Sequence, residues 1–366
     1  MQLSTKSIHI GQQPDPTTGA VIPPLYLSST YAQEAPGVHK WYEYTRSGNP
    51  NFTNAETTLA ALENGSYGHI YSSGLGATTT VILSLLRPGD TVLAVNDLYG
   101  WTYRLMVNVF GNYGINFEMG DLSDSTVRSQ LFSKQPKLLW IESPTNPLLK
   151  TVDLEKIITD AKAHNIIVVV DNTFATPYHQ QPLDLWADIV LHSTTKYLWG
   201  HSDIIGWATI TNNLEFANLF NYHRNAAGIN PNPFDARLLS RSLKTFSLRM
   251  KQHHENAIYL ADRLSQHSLV SRIYYPWISG IISVEFNVDL DTAKKIVSSF
   301  QLFTLAESLW WVESLVDHPA SMTHGSIPRD TRIANWLQDG LMRFSVGIED
   351  KNDLKDDLEK TLAKFL

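Results

Sequence analysis

The segment 166–170 consists of five consecutive β-branched residues, and Asp171 follows it directly. Such a run is typical of a strand that is buried on both faces, as in the centre of a parallel sheet. Strand-like and helix-like segments alternate from about residue 50 to residue 210, which predicts an α/β domain with a mostly parallel sheet. Open sheets of this kind bind ligands at the carboxyl ends of their strands. Asp171 therefore either belongs to a functional site or, as is common in such folds, only caps a turn.

A single lysine, Lys196, follows the next apolar segment, 187–191, which also predicts a buried strand. Three hydroxyl side chains, 193–195, directly precede the lysine. A lysine at the carboxyl end of a strand, beside hydroxyl groups that can bind phosphate, suggests a Schiff-base lysine for pyridoxal phosphate (PLP). A solvated loop lysine beside turn residues is the alternative, and this segment alone does not decide between the two.

Other segments offer what such a cofactor needs. Asp171 would keep a pyridinium nitrogen protonated, so that the ring can accept carbanion charge. The order strand, small-residue turn and helix around 72–77 aims backbone N–H groups at an anion, although glycine-rich turns are common. Tyr99 follows a predicted strand and would stack on a planar ring, and Tyr44 and Arg46 would reach a phosphate. Ordinary loop packing is the alternative for each of these residues.

The chain divides into three predicted regions. Residues 1–50 are rich in Gly and Pro and predict an extended arm with little core of its own. Residues 51–245 form the predicted α/β domain. Residues 246–366 alternate differently and predict a smaller α+β domain. A helical pattern starts near residue 240 and predicts one long helix that continues to about residue 267.

Composition excludes several classes of function. The 366 residues carry a net charge of −7, which does not favour nucleic acid or anionic membranes as partners. The absence of cysteine removes disulfides and thiol catalysis. No apolar run approaches the roughly 18 residues of a membrane span, and the first residues lack a signal-peptide core. We therefore expect a cytoplasmic protein. The 13 histidines lack the spacing of metal ligands, so a metal-dependent hydrolase is a weak alternative and no metal site is expected.

The sequence strongly resembles the Cys/Met-metabolism PLP enzymes, the transsulfuration group with cystathionine γ-synthase, γ-lyase and β-lyase. The resemblance covers nearly the whole chain. It implies the PLP-dependent transferase fold type I, which is similar to that of aspartate aminotransferase. Six segments in matching order carry it: 44–50, 142–147, 170–178, 192–197, 318–324 and 343–349.

The resemblance also implies roles for individual residues. The catalytic set is Lys196, Tyr99 and Asp171. The implied cofactor-binding residues are Tyr44, Arg46, Ser73, Gly74, Leu75, Asn146, Thr173, Ser193 and Thr195. The implied substrate-binding residues are Arg343, Glu307, Ser308 and Asn146. Tyr44 and Arg46 would reach the phosphate of the adjacent subunit, so a homodimer is required for the site and a homotetramer is expected.

The exact reaction is harder to predict. The pair Glu307 and Ser308 fits the γ-synthase and γ-lyase pattern, which favours γ-replacement or γ-elimination on cystathionine or an O-acylhomoserine. Many bacterial relatives that share Glu307 also catalyse β-elimination. Cystathionine β-lyase and O-acetylhomoserine sulfhydrylase activities therefore stay open.

Tryptophan occupies nine positions where the family usually carries glycine. These are Trp41, Trp101, Trp186, Trp199, Trp207, Trp277, Trp310, Trp311 and Trp336. Some bacterial genetic codes read UGA as Gly and others read it as Trp, so our hypothesis is that these residues are glycines translated with the wrong code. If they are tryptophans, Trp310 and Trp311 would narrow the substrate pocket and Trp199 would crowd the Lys196 turn. A PLP-binding scaffold without turnover is the alternative in that case.

Overall fold

The computed structural model describes residues 1–325, 328–334 and 336–366. It divides the chain into two compact units, and each is discontinuous in sequence. The first comprises Met1–Ser143, Val152–Trp199 and Asp203–Ser247. The second comprises Pro144–Thr151, Gly200–Ser202 and Leu248–Leu366.

Two sheets occur in the first unit. Its strands are β1 (Gln33–Ala35), β2 (Val38–His39), β3 (Tyr67–Tyr71), β4 (Thr91–Val95), β5 (Asn116–Gly120), β6 (Leu138–Glu142), β7 (Ile167–Asp171), β8 (Ile189–Ser193) and β9 (Trp207–Thr211). Strands β1 and β2 form a short antiparallel ribbon, and the others form a seven-stranded sheet in the order β3-β9-β8-β7-β6-β4-β5. Six of the seven strands, β3 to β8, run in one direction, while β9 is antiparallel to both of its neighbours, β3 and β8. The predicted α/β fold with a mostly parallel sheet is confirmed.

Helices cover both faces of this sheet. They are α1 (Leu3–His9), α2 (Pro50–Leu62), α3 (Gly74–Leu85), α4 (Gly100–Arg104), α5 (Ser125–Ser133), α6 (Leu154–Ala163), α7 (Thr176–His179), α8 (Leu214–Ala227) and α9 (Pro233–Leu243). Val169 packs with α3 and α8 on one face, whereas Val168 and Val170 pack with α5 and α6 on the other. The β-branched run is buried on both sides, where each such side chain contributes about 1.5–3 kcal/mol.

The second unit is built on a five-stranded sheet. Its strands are β10 (Val270–Tyr274), β11 (Ile281–Phe286), β12 (Thr304–Leu305), β13 (Leu315–Asp317) and β14 (Leu341–Ser345). They lie in the order β10-β11-β14-β13-β12, and only the pair β12 and β13 is parallel. The helices are α10 (Phe246–Ser265), α11 (Leu290–Val297), α12 (Arg329–Ala334) and α13 (Lys351–Leu362). Its aliphatic and aromatic core fits the α+β character expected for the C-terminal part.

The single long helix predicted from about residue 240 to 267 was wrong. Two helices occur instead, because α9 ends at Leu243 and α10 begins at Phe246. The last turn of α9 tightens, since the N–H groups of Lys244 and Thr245 donate to carbonyls three residues back. The Thr245 hydroxyl also donates to the Ser242 carbonyl, at 3.2 Å. Threonine hydroxyls compete with the helical pattern in this way, and the apolar periodicity does not reveal it.

Four of the nine tryptophans at expected glycine positions have a left-handed backbone. Their φ angles are 71° for Trp186, 60° for Trp277, 76° for Trp310 and 67° for Trp336. Residues with a Cβ rarely adopt this region, and glycine adopts it at no steric cost. Trp140, the one tryptophan outside these nine positions, lies in strand β6. Its φ is not positive, and its side chain is 1% exposed.

In the part of the chain that the structure describes, no helix is both long and apolar enough to cross a membrane.

Candidate active site

The carboxyl ends of three neighbouring parallel strands bring acidic and hydroxyl side chains to one edge of the sheet. Glu142, the last residue of β6, lies directly opposite Asp171, the last residue of β7. Ser193 ends β8, the next strand. The backbone N–H of Ser193 donates to the Thr173 hydroxyl at 2.7 Å, and the N–H of Thr173 donates to Asp171 Oδ1 at 3.0 Å. Thr173 thus ties the ends of β7 and β8 together.

Burial dominates the electrostatics of this edge. It raises the pKa of Asp171 above its ordinary value, and the hydrogen bonds from Thr173 oppose the shift. Burial and, secondly, the charge of Asp171 raise the pKa of Glu142 well above its ordinary value of 4.5. Two carboxyl groups that resist ionisation at one strand edge form an environment that favours a bound cation.

Lys196 lies in a tight turn three residues after the end of β8. Its backbone N–H donates to the Ser193 carbonyl at 3.2 Å. The Thr195 hydroxyl both donates to and accepts from the Gly206 backbone, at 3.1 and 2.9 Å. The N–H of Trp199 donates to the carbonyls of Thr194 and Lys196. The turn is therefore fixed by its own backbone, and the Trp199 side chain is buried, at 3% exposed.

The small-residue turn after β3 opens helix α3. The Ser73 hydroxyl caps this helix and accepts from the Gly76 N–H at 3.2 Å. The Trp207 ring lies against Gly74, where an added Cβ would be 2.8 Å from Trp207 Cε2. Gly74 therefore has no room for a side chain, while the first N–H groups of α3, which include that of Leu75, lack helical partners.

Tyr99 lies at the start of α4 and is 46% exposed. Its backbone N–H donates to Glu142 Oε2 at 3.0 Å, which connects it to the edge that carries Asp171.

The two arm residues of the predicted cofactor set are exposed within this chain. Arg46 Nη1 donates to the Asn225 carbonyl at 2.8 Å, and its guanidinium lies 5.8 Å from the Tyr44 ring centroid. Asn49 is fully buried, and its Nδ2 lies 3.0–3.1 Å from three oxygens of the arm, including the Tyr26 carbonyl; its two N–H groups share these acceptors and fix the arm locally.

The second unit contains the predicted substrate-binding residues. Arg343 on β14 is 2% exposed, and its Nη1 donates to Asn146 Oδ1 at 2.5 Å. Its Nη2 donates to the Glu307 carbonyl at 3.2 Å and forms an ion pair with Asp317. The Glu307 side chain is exposed and Ser308 is half-buried. The structure thus brings Arg343, Asn146 and Glu307 together.

Sequence reasoning missed three features. Glu142 belongs to the segment 142–147, but the sequence analysis assigns it no role. Asp317 lies outside the six segments and is not among the predicted site residues. The third is a buried pair in which His192 Nε2 lies 2.5 Å from Glu63 Oε1, an atom that also accepts from Asn172. Glu142 ends a predicted strand, as Asp171 does, so the sequence could have predicted that Glu142 lies at the same edge of the sheet. The partners of Asp317 and His192 are distant in sequence, and no sequence pattern predicts these two contacts.

Comparison with known proteins decides the family. The sequence model of the family described as Cys/Met metabolism PLP-dependent enzyme matches residues 4–363. The chain belongs to this family.

Relatives in the family match over nearly their whole length. A cystathionine β-lyase of Coxiella burnetii is 49% identical, with 98% of this chain and 97% of the relative covered. A cystathionine γ-synthase of Mycobacterium leprae is 43% identical, with 98% and 96% covered. Among solved structures, a cystathionine γ-synthase from Xanthomonas oryzae pv. oryzae in complex with cystathionine has a TM-score of 0.96 at 38% identity, with 100% and 98% covered. A cystathionine γ-lyase from Lactobacillus plantarum complexed with L-serine has a TM-score of 0.94 at 40% identity, with 99% of each chain covered.

The family is PLP-dependent, so PLP is the cofactor, and the residues of the first unit fit it. The raised pKa of Asp171 shows a carboxyl group that its protein neighbours solvate poorly. A pyridinium N–H would supply the hydrogen bond and positive charge that stabilise its anion. Among the described residues, no group of three or more His, Cys, Asp or Glu is arranged to hold a metal ion.

Proposed function

We propose that this chain is a transsulfuration enzyme that acts on cystathionine or an O-acylhomoserine, by replacement or elimination at the γ carbon. One observation carries the proposal. Buried Asp171 ends β7, and the Lys196 turn follows β8, the parallel neighbour of β7, so both lie at the same edge of the sheet. The relatives named cystathionine γ-synthase cover 98% of the chain, which supports the same substrate class. The pair Glu307 and Ser308 favours γ-chemistry.

The cofactor would be held by the predicted set. PLP, when bound, supplies an electron sink for negative charge at the substrate Cα. Lys196 would hold it covalently, Asp171 would accept from its ring N–H, and Tyr99 would stack on the ring. The phosphate would be bound by Ser73, the backbone of Gly74 and Leu75, Ser193, Thr195 and, from the adjacent subunit, Tyr44 and Arg46. Asn146 and Thr173 complete the proposed cofactor set.

The Thr195 hydroxyl must change a hydrogen-bond partner if it is to bind the phosphate. This hydroxyl already makes two hydrogen bonds with Gly206. Binding a phosphate therefore means that Thr195 exchanges the bond that it donates to the Gly206 carbonyl, while it continues to accept from the Gly206 N–H.

Arg343 and Lys196 would act on the substrate itself. Arg343 would bind the α-carboxylate and so fix the orientation of the Cα–H bond, since a guanidinium holds a carboxylate in a defined plane. The Lys196 amine would then move the proton at Cα, and Tyr99 would assist proton transfer to or from the leaving group.

A second candidate is β-elimination of cystathionine. It is favoured by the 49% identity to a protein named cystathionine β-lyase. The two reactions release different keto acids, 2-oxobutyrate from γ-elimination and pyruvate from β-elimination, so one assay separates them.

We also propose that the enzyme is a cytoplasmic homotetramer built from homodimers. Support comes from the arm, which exposes apolar side chains in the single chain. These include Val21 (78% exposed), Ile22 (49%) and Leu27 (67%). Exposed apolar patches of this kind mark interaction surfaces, and a neighbouring subunit would cover them.

The decisive experiment combines absorbance with product analysis. Purified protein with PLP is expected to absorb at about 420 nm, and Lys196→Ala is expected to lose this band. Lys134→Ala, which changes an exposed lysine paired with Glu118, is the matched control and should keep it. Release of 2-oxobutyrate from cystathionine, or formation of cystathionine from an O-acylhomoserine and cysteine, supports γ-chemistry. A retained band without any product supports the scaffold alternative.

A further inference from the structure

The guanidinium of Arg343 is engaged by groups of the protein itself. Arg343 and Asp317 are direct cross-strand neighbours on β14 and β13, and Asp317 is only 1% exposed. Both hydrogens of Nη2 are used, one by Asp317 and one by the Glu307 carbonyl. Asn146 accepts from Nη1.

This pattern limits how a second carboxylate can bind. A guanidinium presents two bidentate edges to a carboxylate, Nη1 with Nη2 and Nε with Nη2. Both edges include Nη2. A substrate carboxylate can therefore bind Arg343 in a bidentate manner only if one of the present Nη2 partners yields its place.

Asp317 is the partner of the same chemical kind as the incoming group, because one carboxylate can replace another on Nη2 and leave the guanidinium charge compensated. Its Oδ1 is buried and has no hydrogen-bond partner in the part of the chain that the structure describes. An unsatisfied buried acceptor and a desolvated ion pair both cost free energy. Burial also raises the pKa of Asp317 to about 6, Arg343 opposes the shift, and the charge of Glu307 adds to it. The Glu307 carbonyl, by contrast, belongs to the backbone and is neutral.

We propose that Asp317 is an internal carboxylate that holds the Arg343 guanidinium until the α-carboxylate of the substrate displaces it from Nη2. Asp317 is then a positioning residue that lowers affinity for the free amino acid and keeps Arg343 oriented between turnovers. This inference rests on the role of Arg343 in the proposed function.

The consequence is a KM effect with a defined pH dependence. Neutralising Asp317 removes the competing charge, so Asp317→Asn is expected to lower KM for cystathionine about tenfold at pH 8 with little change in kcat. As pH falls through about 6, the wild-type Asp317 becomes protonated. The ratio of wild-type KM to Asp317→Asn KM is therefore expected to approach one at pH 5. Binding of glycine, followed by calorimetry, should show the same ratio without turnover.

Two further variants keep the test decisive. Asp317→Glu retains the charge and is expected to keep the pH-dependent KM, which also guards against poor folding of the Asn variant. Asp339→Asn removes a carboxylate that pairs with Arg329 and Arg332 instead, and should leave KM unchanged.

The outcomes separate the two proposals. A higher KM for Asp317→Asn, or the same KM for the Glu and Asn variants, overturns the displacement of Asp317. If Arg343→Lys leaves both KM and glycine affinity unchanged, the role of Arg343 in the proposed function is wrong, and the inference about Asp317 is overturned with it.

Discussion

The tryptophans with positive φ are the clearest anomaly at the scale of single residues. Trp186 is 79% exposed and has a φ of 71°. A left-handed backbone costs a residue with a Cβ about 1–2 kcal/mol, and an exposed indole recovers little of this by packing. Reading such positions as glycine removes the strain, which supports the hypothesis of a misread codon.

We expect Trp186→Gly to raise the free energy of unfolding by about 0.5–1 kcal/mol, because the relief of strain exceeds the extra chain entropy of glycine. Trp140→Gly is the matched control. Trp140 is buried in β6, so its removal is expected to cost about 3–5 kcal/mol. Urea denaturation of both variants measures the difference, and destabilisation by Trp186→Gly would contradict the prediction.

The gene itself offers a direct test of the same hypothesis. We expect UGA codons at most of the nine tryptophan positions and UGG at Trp140. Sequencing the coding region checks this, and UGG at most of the nine would show that the indoles are genuine. The active enzyme would then have to accommodate the buried Trp199 side chain next to the Lys196 turn in sequence and the Trp207 ring against Gly74.

At the scale of elements, the strand edge that carries Glu142 and Asp171 predicts a pH-dependent stability. The pKa of Glu142 is raised in the folded state, so the folded protein binds this proton more tightly than the unfolded chain does. The resulting destabilisation is absent below about pH 4.5 and grows as pH rises above that value. Glu142→Gln removes the ionisable group and keeps an oxygen to accept from the Tyr99 N–H.

We therefore expect Glu142→Gln to stabilise the cofactor-free protein at pH 7 and to have little effect at pH 4. Thermal melts across this range measure the effect. Glu118→Gln is the control, because Glu118 lies in β5 and forms only a surface ion pair with Lys134, which contributes about 0–1 kcal/mol. Equal effects of the two substitutions at pH 7 would argue against a special environment at Glu142.

Some of these elements could be predicted from the sequence, and others could not. The strand 167–171 and the position of Lys196 after β8 were predictable because β-branched runs and parallel-sheet geometry leave few alternatives. The break between α9 and α10 was not, since it depends on a hydroxyl that competes for one carbonyl. The Arg343–Asp317 pair was not either, because cross-strand register becomes visible only once the sheet is formed.

At the scale of the whole molecule, the proposed sharing of sites between subunits has a direct test. Lys196→Ala and Arg46→Ala would each inactivate the enzyme, but a mixed dimer would contain one intact site. Unfolding and refolding the two variants together is expected to restore about a quarter of wild-type activity, as random pairing of a two-fold dimer predicts. Mixing Lys196→Ala with Asp171→Asn is the control and should restore nothing, because both residues come from the same subunit. Recovery in both mixtures, or in neither, would count against sharing through Arg46.

The interleaving of the two units constrains how this gene can be recombined. Leu148 belongs to a segment that lies between β6 and α6 in sequence, yet it packs with Ala320, Leu337 and Leu341 of the second unit. The Pro147 carbonyl likewise accepts a hydrogen bond from Ser283 at 2.6 Å. A chimaera that inherits residues 248–366 from one parent and 144–151 from another therefore breaks a buried interface. Crossovers between homologous genes would be tolerated only where both segments descend from the same parent.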